Sequence, residues 1–442
     1  MITIEPARHP LTGSIQVPGD KSISHRSIMF GALAEGRTEI TGFLSSADCL
    51  STIDCFRAMG IRIEQSTRPF DGEPVITVRG KGLHGLTEPE STLYTGNSGT
   101  TTRLMTGILA GQPFDSRITG DASIETRPMA RIITPLTQMG AEVVSVRGNG
   151  CTPLAVKGGK KLHGISYHSP IASAQVKSCI LLAGLYADQD TVVYEPALSR
   201  NHTELMLRSF GADIRNETDV YGAASAILHP GATLQGMKVD VPGDISSAAY
   251  FIAAALMVPD SALTIRNVGI NPTRAGILAV LQQMGAEIEL QNVDDTSDPR
   301  ADLFVRHTRL GGGNQGRVEI SGRMIPTLID ELPMLAVLGA VSDCEMIVRD
   351  AAELKVKESD RIAVVCENLR AMGGDITPTE DGFVIRGGRA LHGANIRTHG
   401  DHRIAMSFAV AGLAAQGTTC IDDETCVSIS YPEFFRSLMQ IS

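Results

Sequence analysis

Six segments of the chain are apolar on nearly all sides when they are read with helical periodicity, and they recur about every 75 residues. They are rich in Ala, Leu, Met and Gly. A helix without a polar face has to be buried. The pattern therefore predicts six buried helices, which begin near Asp20, Asn97, Ala172, Asp244, Asp330 and Asp401.

Each predicted buried helix is followed by a strand-like run and then by an amphipathic helix. The six strand-like runs are 38–43, 115–119, 191–194, 262–268, 344–348 and 418–421. Five of the amphipathic helices end before a Gly, which is the usual residue of a left-handed C-cap. These glycines are Gly60, Gly140, Gly211, Gly285 and Gly373. The sixth copy is expected to be short, because the sequence ends at residue 442.

The sequence Val-Pro-Gly-Asp occurs twice, at 17–20 and at 241–244, and divides the repeats into three and three. A chain of 442 residues is too long for a single core. We therefore predict an α/β fold with two similar domains, one spanning 18–242 and the other 1–17 with 243–442. The chain would cross between them twice, at the two Pro-Gly pairs. Such a paired crossing suits a hinge that closes the domains on a ligand bound in the cleft between them.

Composition and charge narrow the classes of function. The net charge of −10 argues against a nucleic-acid surface, which needs a basic face. No uninterrupted apolar run reaches about 18 residues, so no membrane span is expected. The N-terminus enters a strand-like pattern at once, so no signal segment is expected. The eight cysteines are scattered without a CxxC pair, which indicates reduced core residues in a cytoplasmic protein.

Charged and small polar residues concentrate at the predicted helix starts and in the adjoining loops. Unpaired N–H groups and the helix dipole make such positions suitable for anions. Lys357 and Arg361 are spaced i,i+4 and are predicted to share one helix face. The candidates are Lys21, Ser22, Arg26, Gly99, Arg127, Ser173, Gln175, Lys177, Arg200, His202, Asp330, Glu331, Lys357, Glu358, Arg361, Asp401, His402 and Arg403. They predict a cationic pocket for a phosphorylated small molecule, with carboxylates as general acid and base.

Signatures of other chemistries are missing from the sequence. It contains no HExxH or CxxC spacing, no Walker A sequence and no GxGxxG between a strand and a helix. These motifs therefore give no indication of a metal or nucleotide site. The Gly-rich run at 310–314 is predicted to be a hairpin loop.

Six polar segments of the chain, taken in order along its whole length, together resemble the 3-phosphoshikimate 1-carboxyvinyltransferase family, the 5-enolpyruvylshikimate-3-phosphate synthases. They are 20–26, 97–101, 127–129, 173–177, 357–361 and 401–403. The resemblance implies two domains, each a pseudo-threefold set of βαβαββ units with buried parallel helices (an inverse α/β barrel). It also implies transfer of the carboxyvinyl group of phosphoenolpyruvate to the 5-hydroxyl of 3-phosphoshikimate, with release of phosphate. This is a step of the shikimate pathway to chorismate and the aromatic amino acids.

The resemblance also implies roles for residues that match the family's motifs. The implied ligands of 3-phosphoshikimate are Lys21, Ser22, Arg26, Ser173, Gln175, Arg200, Asp330 and Lys357. Those of phosphoenolpyruvate are Lys21, Gly99, Arg127, Gln175, Arg361 and Arg403. Asp330 would accept the 5-hydroxyl proton, Glu358 would protonate the methylene carbon, and Lys21 would assist the proton transfer. The family needs no cofactor and is usually monomeric.

Departures and alternatives accompany this resemblance. Ile429 stands where many members carry a lysine, which puts one contact to phosphoenolpyruvate in doubt. Gly99 leaves room for the herbicide glyphosate, so some sensitivity is expected. The sister family that uses UDP-N-acetylglucosamine usually has Asn after the active-site lysine, where Ser22 stands here, and a Cys that is missing from 115–131. A non-catalytic repeat protein that binds an anion would need Asp330 and Glu358 only as helix caps.

Overall fold

The computed structural model describes residues 1–68, 72–219, 223–295, 297–311 and 316–441. The chain divides into two compact units, and the division falls at the two Pro-Gly pairs. We call residues 19–241 the central unit, and residues 1–18 with 242–442 the terminal unit. Residues 312–314 of the Gly-rich run that was predicted to form a hairpin lie outside the described residues.

The chain begins with two strands of the terminal unit, β1 (Ile2–Ile4) and β2 (Thr12–Gln16), and then enters the central unit. The helices of the central unit are α1 (Lys21–Leu33), α2 (Ala47–Ala58), α3 (Gly99–Ala110), α4 (Ala130–Gln138), α5 (Ala174–Gly184) and α6 (His202–Ser209). Its strands are β3 (Glu35–Thr41), β4 (Arg62–Thr67), β5 (Pro74–Lys81), β6 (Leu93–Tyr94), β7 (Ser116–Thr119), β8 (Glu142–Ser145), β9 (Leu154–Lys157), β10 (Ser166–His168), β11 (Thr191–Glu195), β12 (Asp213–Thr218), β13 (Ala224–His229) and β14 (Lys238–Asp240).

The central unit has three four-stranded sheets of one design, ordered β14-β3-β5-β4, β6-β7-β9-β8 and β10-β11-β13-β12. In each sheet the first two strands are parallel and the other pairs are antiparallel. A buried helix connects the parallel strands of the second and third sheets. The first sheet receives β14 from the far end of the unit, where Val239 pairs with Ile40. The three repeats therefore close on themselves.

The buried helices α1, α3 and α5 form the core of the central unit, as their lack of a polar face predicts. Helices α3 and α5 approach closely because Gly107 has no side chain. A Cβ at that position would lie 2.2 Å from the carbonyl oxygen of Cys179.

The terminal unit repeats this design, and both ends of the chain contribute to it. Its helices are α7 (Ile245–Met257), α8 (Gly276–Gln283), α9 (Ile325–Leu328), α10 (Leu332–Val341), α11 (Arg361–Ala371), α12 (His402–Ala414) and α13 (Phe434–Ile441). Its remaining strands are β15 (Ala262–Gly269), β16 (Ile288–Asp294), β17 (Arg300–Arg306), β18 (Arg317–Ile320), β19 (Glu345–Val348), β20 (Asp375–Pro378), β21 (Phe383–Arg386), β22 (Asn395–Ile396) and β23 (Thr419–Ile421).

The N-terminal strands complete two sheets of the terminal unit. Strand β2 runs parallel to β15 in the sheet β2-β15-β17-β16, and β1 runs antiparallel to β23 in the sheet β1-β23-β22. The third sheet, β18-β19-β21-β20, comes from one continuous stretch of chain. The last repeat is shorter, as expected, with α13 following β23 after a 3-10 helix, Thr425–Ile429.

Several local predictions are confirmed. The five glycines after the amphipathic helices all have a left-handed backbone, with φ between +82° and +100°. All eight cysteines are free, and only Cys151 and Cys420 are not fully buried.

Within the described ranges, no single helix is long and apolar enough to span a membrane. The segments Gly322–Leu328 and Leu332–Val341 meet that criterion only jointly, across a bend of 107°.

Candidate functional site

In the central unit, side-chain hydrogen bonds join the starts of the three buried helices. Arg103 of α3 donates to Gln175 Oε1 of α5 over 2.5 Å, and Gln175 Nε2 donates back to Thr100 Oγ1 over 3.2 Å. Arg26 of α1 donates to Ser178 Oγ of α5 over 3.0 Å. The candidates that the sequence spreads over 150 residues of the chain therefore gather at one end of the unit.

The start of α1 presents the first cations of this cluster. Asp20 caps the helix by accepting from the backbone N–H of Ile23 over 2.8 Å. Lys21 and Ser22 follow in the first turn, and Lys21 Nζ lies 2.5 Å from Asp48 Oδ2 of α2. Arg26 lies one turn further on, where it is buried and donates to Thr203 Oγ1 over 2.7 Å.

Gly99 opens α3 between two guanidinium groups. A Cβ at this position would lie 3.0 Å from Arg103 Nη1 and 3.3 Å from Arg127 Nη1. Arg127 is held by Asn97 Oδ1 at 2.7 Å and by Ser123 Oγ at 3.0 Å. Helix α4 begins soon after Arg127, at Ala130. The arrangement leaves a small space beside two fixed cations at a helix N-terminus, which suits an anion.

A buried ion-pair network lies behind the start of α5. Lys177 Nζ is 2.8 Å from Glu195 Oε2 and 2.8 Å from Glu204 Oε1, and all three side chains are almost completely buried. Glu195 also accepts from the backbone N–H of Ser173 over 3.0 Å and from the hydroxyl of Ser199 over 2.9 Å. Ser199 directly precedes Arg200, so this network fixes both segments that carry candidate residues.

Electrostatically, the central cluster is dominated by cations. Lys21, Arg26, Arg103, Arg127 and Arg200 stand at or beside the helix starts, against the carboxylates of Asp20 and Asp48. Burial, together with the charges of Lys21 and Arg26, holds the pKa of His25 well below its usual value. His25 is therefore a neutral ring at neutral pH, with Nδ1 at 2.7 Å from Thr52 Oγ1.

In the terminal unit, one helix starts near its predicted residue, Asp330, and another starts later than predicted. Asp330 lies in the turn between α9 and α10, and α10 begins at Leu332 after Glu331. Helix α11 begins only at Arg361, because Asp360 caps it by accepting from the N–H of Ala363. Lys357 therefore precedes the helix, and the prediction that Lys357 and Arg361 share a helix face is wrong.

Arg361 is the centre of the terminal cluster, and its guanidinium is almost completely buried among three carboxylates. It lies 2.8 Å from Asp401 Oδ2, 2.5 Å from Glu358 Oε2 and 3.4 Å from Asp330 Oδ1. Lys357 Nζ lies 3.7 Å from the same Asp330 oxygen. Both predicted proton-transfer residues, Asp330 and Glu358, thus contact one cation.

The start of α12 supplies Asp401, His402 and Arg403. Asp401 caps the helix by accepting from the N–H of Arg403 over 2.9 Å. Burial alone would raise the pKa of Asp401, but the charge and the hydrogen bond of Arg361, together with the neighbouring His402, outweigh burial and lower the pKa. Burial lowers the pKa of His402 to about 4, so this ring is neutral at neutral pH. Arg403 donates to the carbonyl oxygen of Asp330 over 3.2 Å and lies 3.8 Å from its Oδ2.

Sequence reasoning missed several members of the two clusters. Asp48, Arg103, Glu195, Glu204 and Arg274 were not selected as site residues, although each contacts one of the predicted residues or its neighbour. Arg103 could have been selected from the sequence, because it is a charged residue in the first turns of a predicted buried helix. Ile429 ends the 3-10 helix of the last repeat and is half-buried. Because its side chain is uncharged, this position supplies no cation.

The repeated sheets and the charged helix starts define an α/β protein of two three-repeat units, whose helix starts have the charges that suit anionic small molecules. The model of one family, EPSP synthase (3-phosphoshikimate 1-carboxyvinyltransferase), matches residues 6–438. Relatives named 3-phosphoshikimate 1-carboxyvinyltransferase include those of Brevibacillus brevis and a Geobacter species. Each is 51% identical, and the alignments cover 100% of both chains in the first case, and 99% of this chain and 98% of the relative in the second.

A solved structure of EPSP synthase from Acinetobacter baumannii superposes with a TM-score of 0.87 at 44% identity, over 100% of this chain and 98% of that one. The chain therefore belongs to the EPSP synthase family. The family and the fold class predicted from the sequence are confirmed, and so is the prediction of a transferase rather than a non-catalytic repeat protein. The names of these three proteins are those of the EPSP synthase family, which favours it over the sister family that uses UDP-N-acetylglucosamine.

Proposed function

We propose that this protein transfers the carboxyvinyl group of phosphoenolpyruvate to the 5-hydroxyl of 3-phosphoshikimate and releases phosphate. The observation that carries the proposal is the pair of carboxylates, Asp330 and Glu358, held on the single guanidinium of Arg361. Two carboxylates fixed beside cations suit a reaction that needs one proton removed and another delivered. Membership of the EPSP synthase family supports the choice of substrates.

The central cluster supplies most of the cations for the two anionic substrates. Arg127, whose guanidinium lies beside Gly99 at the start of α3, would hold phosphoenolpyruvate. The other groups proposed for that substrate are Lys21, Gln175, Arg361 and Arg403. Those proposed for 3-phosphoshikimate are Lys21, Ser22, Arg26, Ser173, Gln175, Arg200, Asp330 and Lys357. Fixed charges of this kind orient both reactants before the chemical step, which lowers its entropic cost.

The terminal cluster would carry the proton transfers. The 5-hydroxyl oxygen bonds to C2 of phosphoenolpyruvate while Asp330 accepts the hydroxyl proton. Glu358 delivers a proton to C3, with Lys21 assisting, which gives a tetrahedral adduct. The adduct then loses phosphate from C2 and a proton from C3, so the double bond forms again in the product.

The place of the reaction relative to the two units, a cytoplasmic location and a monomeric state stay predictions.

Phosphate release should depend on the acceptor. Purified protein with phosphoenolpyruvate and EDTA is expected to release phosphate when 3-phosphoshikimate is added, and not when UDP-N-acetylglucosamine is added. A colorimetric phosphate assay measures both reactions. Release with the nucleotide sugar alone would assign the protein to the sister activity. Folded protein that releases phosphate with neither acceptor would refute the proposed reaction.

Gly99→Ala should weaken phosphoenolpyruvate binding selectively. The new methyl group would lie 3.0 Å from Arg103 and 3.3 Å from Arg127, so both guanidinium groups would have to move by a few tenths of an ångström. We expect KM for phosphoenolpyruvate to rise roughly tenfold, and inhibition by millimolar glyphosate to weaken, because positioning errors at a site are costly. Steady-state kinetics measure both. Thr134→Ala, at an exposed position of α4, is the control, and equal KM values for Gly99→Ala and wild type would contradict this site for phosphoenolpyruvate.

A further inference from the structure

Arg274, in the loop before α8, belongs to a buried polar group around Glu331. Its Nη1 lies 2.9 Å from Glu331 Oε1 and 3.0 Å from Glu331 Oε2. Its Nη2 lies 3.2 Å from Asp244 Oδ1 and also donates to Ser246 Oγ. The side chains of Arg274 and Glu331 are almost completely buried. One nitrogen of Arg274 thus meets both carboxylate oxygens of Glu331 in a buried, charge-assisted contact.

Glu331 has a second arginine nearby. Arg403 Nη1 lies 3.7 Å from Glu331 Oε1, while the same nitrogen donates to the backbone carbonyl oxygen of Asp330 over 3.2 Å. Arg274 is closer to Glu331 and meets both of its oxygens, whereas Arg403 approaches only one of them. Of these two arginines, Arg274 therefore provides most of the neutralisation of Glu331.

We infer that Arg274 is a positioning residue that neutralises Glu331 and so keeps the charge of Arg403 available for phosphoenolpyruvate. The inference rests on the proposed function, in which Arg403 binds that substrate. Without Arg274, Glu331 would be a buried carboxylate that has lost its closest cation. Because charges interact strongly in a water-poor site, the carboxylate would draw Arg403 closer. Arg403 would then attract the substrate anion less.

The test is a set of substitutions read by steady-state kinetics. Arg274→Gln should raise KM for phosphoenolpyruvate by at least about tenfold, which corresponds to the loss of one modest charge interaction. KM for 3-phosphoshikimate should change by less than about threefold, because the effect acts through Arg403. The double variant Arg274→Gln with Glu331→Gln removes the carboxylate as well and should return KM for phosphoenolpyruvate to near the wild-type value.

Arg300→Gln is the matched control, since Arg300 also pairs with a carboxylate, Asp294, in the terminal unit. It should leave both KM values unchanged. If Arg274→Gln does not fold, the double variant decides the question, because it removes the charge of Glu331 together with that of Arg274 and leaves only Asp244, which still accepts from the N–H of Ser246. A folded double variant with phosphoenolpyruvate KM still raised tenfold would overturn the inference, as would an unchanged KM in Arg274→Gln. Failure of the proposed function itself would appear separately, as a wild-type protein without phosphate release.

Discussion

Glu358→Gln and Asp330→Asn are each expected to lower kcat by about 10²–10⁴-fold, the usual range for loss of a general acid or base. Both substitutions keep the shape of the side chain but remove its ability to exchange a proton. Arg361 would keep Asp401 at 2.8 Å in either variant, so the cation should stay in place. Substrate binding should therefore persist, because Arg361 loses only one of its neutralising carboxylates.

Kinetics and equilibrium binding of phosphoenolpyruvate together distinguish a catalytic role from a structural one. The dependence of kcat/KM on pH distinguishes the two residues, because removal of the base should abolish the fall at low pH, and removal of the acid the fall at high pH. Glu319→Gln, at a half-exposed residue of β18, is the control and should keep wild-type kcat. If either site variant turned over within threefold of wild type, the role proposed for that residue would be wrong.

Lys177→Met is expected to destabilise the central unit by about 3–5 kcal/mol, the cost of breaking a buried ion pair from one side. The substitution would leave Glu195 and Glu204 facing each other in a buried site without their shared cation. Burial alone would lower the pKa of Lys177, but the two carboxylates outweigh it and raise the pKa, so the wild-type lysine is charged. The protein would have to distort or to bind protons in order to accommodate the two acids.

Hydrogen–deuterium exchange of peptides from α5 and α6 measures this effect locally, which is useful because a chain of two units can unfold in more than one step. The matched control is Lys157→Met, whose partner Asp115 and whose own side chain are both about half exposed. An exposed pair contributes about 1 kcal/mol or less, so this variant should exchange like wild type. Equal exchange in both variants would show that the buried network does not stabilise the unit.

The repeats could be predicted from the sequence because the signal depends on local periodicity. A helix that is apolar on all sides, such as α7 or α10, has to be buried wherever it lies in the fold. The strand after each buried helix was also predicted, because β-branched runs follow directly. Strand β14 pairs with β3, although almost 200 residues separate the two strands in the sequence. No local pattern indicates so distant a partner.

The site was predicted as a set of helix starts, but its internal pairing was not. Asp48 pairs with Lys21 only because α2 packs against α1, and a sequence does not give that contact. The position of Lys357 could have been predicted better. Asp360 followed by an apolar pattern is an N-cap signal, and it would have placed the start of α11 after Lys357.

The first strand of the chain pairs with one of its last strands, and this has a consequence for folding during synthesis on the ribosome. Ile2 lies opposite Ile421, so β1 cannot find its partner until nearly the whole polypeptide has been made. The central unit is under no such delay, because all its strands have been translated by residue 240. Strand β1 therefore leaves the exit tunnel long before it can become ordered, and a nascent chain stalled before residue 419 carries β1 as an unpaired strand.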